Sequence, residues 1–311
     1  MAQAQAAIPL GVALQGSRGR RRREALVRGA LLGGGLLSIA ISALIILTLA
    51  FQAWSFISQV DLSTLVSRGW FPRRNLFDIP TLLIGTFLVT GIALLLAAPI
   101  GLASAIFLSE YASPRARRIV KPVLEVLAGI PSIVLGYFAI AVINPGFVQV
   151  LVPTAPAFNI LAASLAVGIL TIPLVASVAE DAMRSVPRSL REASYGLGAR
   201  RITTSVRVVV PAAVSGIVAS LILAASRAIG ETMVVALAAG ATGGGVRNLN
   251  PLEPGQTMTA AMASLAIGSD QVRGASLAFP SLFFVGALLF ALTLALNVLG
   301  EAFVRRTRQR Y

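Results

Sequence analysis

Long apolar stretches alternate with short polar segments along the chain. Six of these stretches are long enough to cross about 30 Å of hydrocarbon at about 1.5 Å per helical residue. The first exceeds the apolar core of a secretory signal, so we expect it to be retained as a helix. The pattern therefore predicts an all-α, polytopic membrane protein. Its six transmembrane helices are expected at Gly29–Ile57, Leu82–Leu108, Val120–Ile143, Phe158–Val178, Ala212–Ala239 and Phe279–Val304.

The amino-acid composition indicates the same class. Hydrophobic residues make up 56% of the 311 residues and charged residues 12%, against about 25% charged in soluble domains. A soluble protein of this length needs more polar side chains to cover its surface. An ordinary soluble enzyme is therefore excluded, and we expect the excess apolar surface to contact membrane lipids.

The basic residues are concentrated in alternate connections between the predicted helices. Twenty Lys and Arg residues lie before the first helix and after the second, fourth and sixth, whereas the other connections carry five. Because basic connections face the cytoplasm, both the N and C termini are predicted to be cytoplasmic. We therefore divide the chain into a basic N-terminal tail at 1–28, a membrane domain at 29–304 and a basic C-terminal tail at 305–311. The N-terminal run is expected to contact anionic lipid rather than nucleic acid.

Several reactive groups are absent from the sequence. It contains no Cys and no His, which excludes disulfides, thiolate nucleophiles, imidazole metal ligands and His-based acid or base chemistry. Its single Lys, Lys121, is not part of a G-x-x-x-x-G-K-[ST] string, so the chain has no P-loop. If ATP drives its action, we expect a separate subunit to bind ATP and Mg. No catalytic residue, metal site or cofactor is predicted for this chain.

The connection between the fourth and fifth predicted helices is the most informative polar segment. It runs from Glu180 to Pro211, which is longer than a minimal helix connection requires. Pro187 suits the start of a helix, Ser189 to Gly196 has an amphipathic pattern, and Gly198 supplies a turn after it. The composition alone is compatible with a helix that lies on lipid headgroups or with one that docks on a cytoplasmic partner.

This connection resembles the EAA loop of the membrane subunits of binding-protein-dependent ABC importers, whose pattern is E-A-A-x3-G-x9-I-x-L-P. Here the string E-A-S starts at Glu192, a Gly follows at the required spacing, and V-V-V-P ends at Pro211. Ser replaces the second Ala, and Val replaces Ile and Leu. The resemblance implies that 180–211 is a cytoplasmic loop that docks on an ATPase. The residues of this ATPase-coupling loop are Arg191, Glu192, Ala193, Ser194, Gly198 and Pro211.

Four further strings narrow the resemblance to phosphate importer permeases, and more closely to their PstC type. They are I-F-L-S-E-Y at 106–111, G-I-P-S at 129–132, V-P-x3-R-E-A at 186–193 and R-A-I-G-E-T-M at 227–233. The resemblance implies the type I ABC importer permease fold and a multi-pass location in a prokaryotic cytoplasmic membrane. The partners that it implies are a homologous PstA-type permease, a homodimeric cytoplasmic ATPase and an extracytoplasmic phosphate-binding protein.

Arg227 and Glu231 are two charges inside the fifth predicted helix. Their spacing of four residues predicts that they share one helix face and can contact each other. Such a pair is expected to face the bundle interior or a polar cavity, either as a structural ion pair or as part of an anion pathway. In a pathway the Arg fork binds a tetrahedral oxyanion, and Glu231 accepts the proton that phosphate, unlike sulfate, carries near neutral pH. Ser132 and Thr232 either line the pathway or bond to their own helices.

Other functions stay open at this point. The same architecture is compatible with molybdate, sulfate or phosphonate as the substrate. A stand-alone anion carrier or channel needs no cytoplasmic partner, so an EAA-type loop has no purpose in it. An intramembrane hydrolase is disfavoured because the chain lacks His and its Lys121 lies at the predicted membrane edge.

Overall fold

The computed structural model describes residues 18–240, 246–267 and 277–307. Most of the predicted N-terminal tail and the last four residues of the predicted C-terminal tail lie outside these ranges. The described chain is almost entirely helical, with one short antiparallel hairpin that pairs Trp70–Phe71 with Leu76–Phe77. Two units can be separated, Met1–Phe51 and Gln52–Tyr311. The first unit holds most of a 40-residue helix, Arg18–Ile57, and the second holds the rest of the chain.

Five helices are long and apolar enough to cross a membrane, and a bent helix pair makes a sixth span. This confirms the predicted fold class of a polytopic all-α membrane protein. The bent pair, which we call span 5, changes direction by 71°. Spans 1 to 6 are Arg22–Ile57, Ile79–Tyr111, Ser132–Leu151, Ile160–Arg184, Arg201–Ala212 with Val214–Ile229, and Ala278–Arg306.

The third span differs from its prediction, which was Val120–Ile143. Pro114–Ala128 forms a separate amphipathic helix with no buried residue, and span 3 begins only at Ser132. The chain breaks at 129–131 because Pro131 has no N–H to donate and disfavours helical dihedral angles at the residue before it. The apolar run therefore continues through a break, and it predicted one helix where the chain forms two.

The fifth span also differs from its prediction, which was Ala212–Ala239. The helix Val214–Ile229 ends at Gly230, and a short helix, Met233–Ala238, follows after a break. A further apolar helix, Met258–Ile267, has ten residues, which corresponds to about 15 Å and is too short to cross the hydrocarbon core. The membrane part of the chain thus contains broken and short helices as well as full spans.

Spans 2 and 4 pack closely at the centre of the second unit. A Cβ atom on Gly168 would lie 3.1 Å from the carbonyl oxygen of Ala93, and one on Gly101 would lie 2.7 Å from the side chain of Val175. Small residues allow helix backbones to approach this closely in a membrane. The apolar core beside them is built from spans 2 to 4 and from the short helix Met233–Ala238.

The two ends of this bundle have different cores. At the end near the hairpin, which we call the hairpin end, the ring of Phe56 packs 5.0 Å from that of Phe77 and 5.2 Å from that of Phe284. At the opposite end, which we call the loop end, Met183 and Val186 pack with the first half of span 5. The predicted functional segment lies at the loop end.

Candidate functional site

A helix occupies the middle of the connection between spans 4 and 5. This loop helix is Arg188–Gly196, starts directly after Pro187 and agrees with the helix predicted at Ser189 to Gly196. The loop itself is shorter than the predicted 180–211, because span 4 continues to Arg184 and Arg201–Ala212 is helical. Gly198 has a φ of 78°. This left-handed conformation explains why the turn after the helix requires glycine.

The loop helix has an exposed face and a packed face. Glu192 and Ala193 are exposed, and Leu197, just after the helix, is 90% exposed. On the packed side, the hydroxyl groups of Ser194 and Thr204 lie 2.9 Å apart. The exposed face is thus available to a partner, whereas Ser194 connects the loop helix to the start of span 5.

Arg191 lies on the packed side and joins three segments. Its Nη2 lies 2.9 Å from Oε1 of Glu110, and its Nε lies 3.3 Å from Oε2 of the same side chain. It also donates to the backbone carbonyls of Met183, at 2.8 Å, and Val186, at 2.7 Å. Arg191 therefore holds the loop helix to the ends of spans 2 and 4. Its guanidinium group makes these contacts within the chain.

Pro211, the last residue of the predicted coupling pattern, is exposed next to the bend in span 5. The direction changes by 71° between Arg201–Ala212 and Val214–Ile229. The loop helix is thus followed by a helical arm, and the main part of span 5 begins after the bend.

Arg227 and Glu231 lie on opposite sides of the helix break, so the prediction that they share one helix face is wrong. Arg227 is in the last turn of Val214–Ile229 and is exposed. Glu231 follows the break, and its Oε1 accepts from the backbone N–H of Val234 at 3.4 Å. The helix between them ends at Gly230, since glycine loses more conformational entropy in a helix than any other residue.

Thr232 and Ser132 also lie next to helix breaks. The Thr232 hydroxyl donates to the carbonyl of Gly230 at 3.2 Å, as expected for a Thr that bonds to its own backbone. Ser132 is half-buried at the first position of span 3. That helix packs on the short helix after Glu231, where a Cβ on Gly136 would lie 3.2 Å from the carbonyl of Met233.

A cavity of about 210 Å³ lies between the amphipathic helix, span 4 and span 5. Arg227 and Lys121 bring two positive charges to its wall and Glu125 and Glu180 two negative ones, whereas Glu231, Thr232 and Ser132 are not part of it. Ser177 adds a hydroxyl group. The full lining is Lys121, Leu124, Glu125, Ala128, Leu170, Pro173, Leu174, Ser177, Glu180 and Arg227.

Glu180 is a functional candidate that the sequence did not single out. Its side chain is fully buried, and cationic nitrogens of Arg117, Lys121 and Arg184 lie 3.3, 3.5 and 3.7 Å from its oxygens. No hydrogen bond reaches either oxygen in the described part of the chain. The sequence hinted at Glu180 only through the run of basic residues at 115–121. Their acidic partner lies about 60 positions further along the chain.

The hairpin end contains a second ion pair that the sequence did not predict. Arg247 contacts both carboxylate oxygens of the buried Asp78, at 2.7 and 2.9 Å, and donates to the carbonyl of Ser67 at 3.1 Å. Burial raises the pKa of Asp78, but the hydrogen bonds from Arg247 and Thr81 and the Arg247 charge outweigh it, so the pKa lies below its usual value. This contact joins the connection between the short helices Met233–Ala238 and Met258–Ile267 to the start of span 2.

The spans, the exposed loop helix and the charged cavity define a membrane transport subunit of the permease class. The family of binding-protein-dependent transport system inner membrane components matches residues 97–309. The chain belongs to this family. Its location is therefore the inner membrane, which it crosses several times.

Relatives of this chain carry the names of transport permeases. A probable ABC transporter permease, YqgH of Bacillus subtilis, is 33% identical over 70% of this chain and 72% of its own. The phosphate transport system permease PstC of Haemophilus influenzae is 30% identical over 88% of this chain and 90% of its own. PstA 1 of Mycobacterium tuberculosis is 36% identical, but over 61% of this chain and 60% of its own.

A solved structure has the same fold. It is a bacterial ABC transporter involved in the import of the acidic polysaccharide alginate, with a TM-score of 0.59 over 93% of this chain and 100% of that chain. At 16% identity, this likeness concerns the fold alone. It agrees with the type I ABC importer permease fold that the coupling pattern implies.

Proposed function

We propose that this chain is the PstC-type permease subunit of an ATP-driven phosphate importer. Its loop helix is the cytoplasmic docking element for a separate ATPase that binds ATP and Mg, and both termini are cytoplasmic. A PstA-type permease and an extracytoplasmic phosphate-binding protein complete the complex. This chain itself breaks no covalent bond. The proposal draws on the relatives named as phosphate permeases and on the exposed face of the loop helix.

The observation that carries the transport role is the exposed Arg227 on the cavity wall, with Lys121 on the same wall. Guanidinium groups bind tetrahedral oxyanions through paired N–H donors. An exposed arginine inside an apolar span is costly unless a polar space and an anion compensate it. Glu231 lies one helix break away and outside this cavity, and we propose that it follows Arg227 along the path as an acceptor for the proton of phosphate.

Radiolabelled phosphate uptake into proteoliposomes tests this proposal. The vesicles hold this chain with its candidate permease, ATPase and binding protein, with and without ATP and with excess sulfate or molybdate. We expect ATP-dependent uptake that resists both competitors. Inhibition by one of them would assign that oxyanion instead, and transport by this chain alone would assign a carrier or channel.

The variant Arg227→Gln tests the residue within the same assay. It keeps a polar side chain but removes the charge, and we expect loss of uptake with normal assembly of the complex. The matched control is Arg306→Gln, which removes an exposed charge at the end of span 6. Uptake by Arg227→Gln equal to that of the control would exclude Arg227 from the pathway.

A further inference from the structure

The last turn of span 2 receives contacts from three separate segments. Phe107–Tyr111 forms a wider, π-helical turn at the loop end of the bundle. Arg117, from the amphipathic helix, donates to two of its backbone carbonyls. The guanidinium of Arg201, from span 5, lies 5.0 Å above the ring of Tyr111. Arg191, from the loop helix, pairs with Glu110.

The pair of Arg191 and Glu110 is the most constrained of these contacts. The two side chains are 17% and 4% exposed, and two N–H groups of Arg191 contact the two carboxylate oxygens. The Ser109 hydroxyl also donates to Glu110, at 2.8 Å. A two-pronged contact fixes orientation as well as distance, and partial burial limits screening by salt. The loop helix and span 2 are thereby held in one geometry.

The covalent route from the loop helix to span 5 is less direct. It passes through the turn at Gly198, the helix Arg201–Ala212 and the 71° bend before it reaches the main part of the span. A bend of this kind can absorb a displacement. The side-chain route through Arg191 has no such joint, and span 2 is in turn closely packed on span 4.

We propose that Arg191 and Glu110 form a strut that transmits the displacement of the loop helix directly into span 2. The inference rests on the proposed function, since it needs an ATPase that moves the loop helix. It assigns Arg191 and Glu110 as positioning residues that contact neither ATPase nor phosphate. In this mechanism spans 2 and 4 move with the loop helix, and span 5 follows through its bend.

Spin-label distances in the assembled complex in nanodiscs test the strut. The chain has no native Cys, so Cys can be introduced at the exposed Tyr195 in the loop helix, at the exposed Ala103 in span 2 and at the exposed Leu299 in span 6. On addition of ATP with hydrolysis blocked, we expect an unchanged distance between 195 and 103 and a changed distance between 195 and 299. A change in the first distance in the otherwise unmodified chain overturns the strut, and this measurement needs no variant of the pair.

The variant Glu110→Gln then breaks the ion pair with little change in size. We expect the distance between 195 and 103 to become ATP-dependent, and the phosphate transported per ATP hydrolysed to fall about tenfold, the equivalent of one charged hydrogen bond. Arg191→Lys, which keeps the charge but loses the fork, should give a smaller fall. The matched control is Glu301→Gln, which breaks the exposed pair with Arg305 and should leave the ratio unchanged.

The outcomes separate the strut from the proposed function. Normal coupling in Glu110→Gln overturns the strut and leaves the importer intact. ATP-dependent movement of the loop helix together with span 2, but without phosphate uptake, supports the strut and contradicts phosphate as the substrate. Absence of any ATP-dependent distance change in a complex that takes up phosphate contradicts the strut alone, and absence of both the distance change and the uptake contradicts both.

Discussion

The loop end and the hairpin end both use arginine to hold a connection against span 2, but they distribute charge differently. At the hairpin end one buried carboxylate, Asp78, has one cationic partner, Arg247. At the loop end the buried Glu180 has three cations nearby, and the π-helical turn of span 2 receives three arginines. Substitution of one basic residue therefore removes the whole charge interaction of Asp78 at the hairpin end and only a part of that of Glu180 at the loop end. The first arrangement is suited to a fixed joint that depends on one ion pair, and the second to an end that several cations hold together.

The largest effect is expected from Arg247→Met at the hairpin end. Asp78 is fully buried, so loss of its only cationic partner in the described chain leaves an uncompensated carboxylate. Arg247 is 41% exposed and Thr81 still donates to Asp78, so we expect the loss of a charged partner of this buried carboxylate to cost about 2–3 kcal/mol of folding free energy. Thermal unfolding in detergent measures this. Arg73→Met, which removes an exposed arginine of the same end, is the control, and equal melting temperatures for the two variants would contradict the joint.

Glu180→Gln at the loop end sharpens this comparison, with a smaller expected loss. The variant removes a buried charge, but the oxygens of Glu180 accept no hydrogen bond in the described part of the chain, so no hydrogen bond to them is lost. The cations around it keep other contacts: Arg117 donates to the end of span 2, and Lys121 lies 3.4 Å from Asp181. We expect destabilisation of about 1–2 kcal/mol in the same unfolding assay. A loss of folding free energy as large as that of Arg247→Met would show that the other contacts of these cations do not stabilise the loop end.

Acidification should remove the hairpin-end contact without a substitution. The pKa of Asp78 lies below its usual value in the folded protein, so its contribution to stability is present above the unfolded pKa of about 3.9 and is lost as pH falls through the folded pKa. The difference in melting temperature between the unmodified chain and Arg247→Met should therefore shrink below about pH 4. Asp61, whose pKa is also lowered, is present in both proteins and does not affect the difference. A difference that stays constant down to the lowest accessible pH would assign the effect to packing by Arg247 rather than to its charge.

The sequence predicted local features of the molecule better than distant ones. The loop helix and its glycine were predicted because the coupling pattern reflects a local backbone conformation. That conformation is a helix followed by a left-handed turn at Gly198. The spans were found from apolar length alone. The breaks at 129–131 and at Gly230 were missed because a hydropathy pattern continues through residues that are apolar but cannot continue a helix. The separation of Arg227 from Glu231 follows from the second of these breaks.

The ion pairs could not be predicted from the sequence. Asp78 and Arg247 are 169 residues apart, and Glu110 and Arg191 are 81 residues apart. Nothing in the local pattern around either acid indicates its partner, since the pairing depends on how the helices pack. The sequence identified Arg191 as part of the coupling loop, and the structure adds its ion pair with Glu110.

The smallest effect is expected from Gly198→Ala at the loop end. No atom lies within 4 Å of the position of an added Cβ, so the only cost is the left-handed φ of 78°, about 1 kcal/mol for a residue with a side chain. Gly196→Ala is the matched control, because its Cβ also meets no atom and its φ is not left-handed. Because the turn sets the direction in which the chain leaves the exposed end of the loop helix, Gly198→Ala should weaken binding of the ATPase by about fivefold, whereas Gly196→Ala should not. Titration of the ATPase onto nanodisc-held permease complex measures both, and equal affinities would mean that the partner does not depend on the turn.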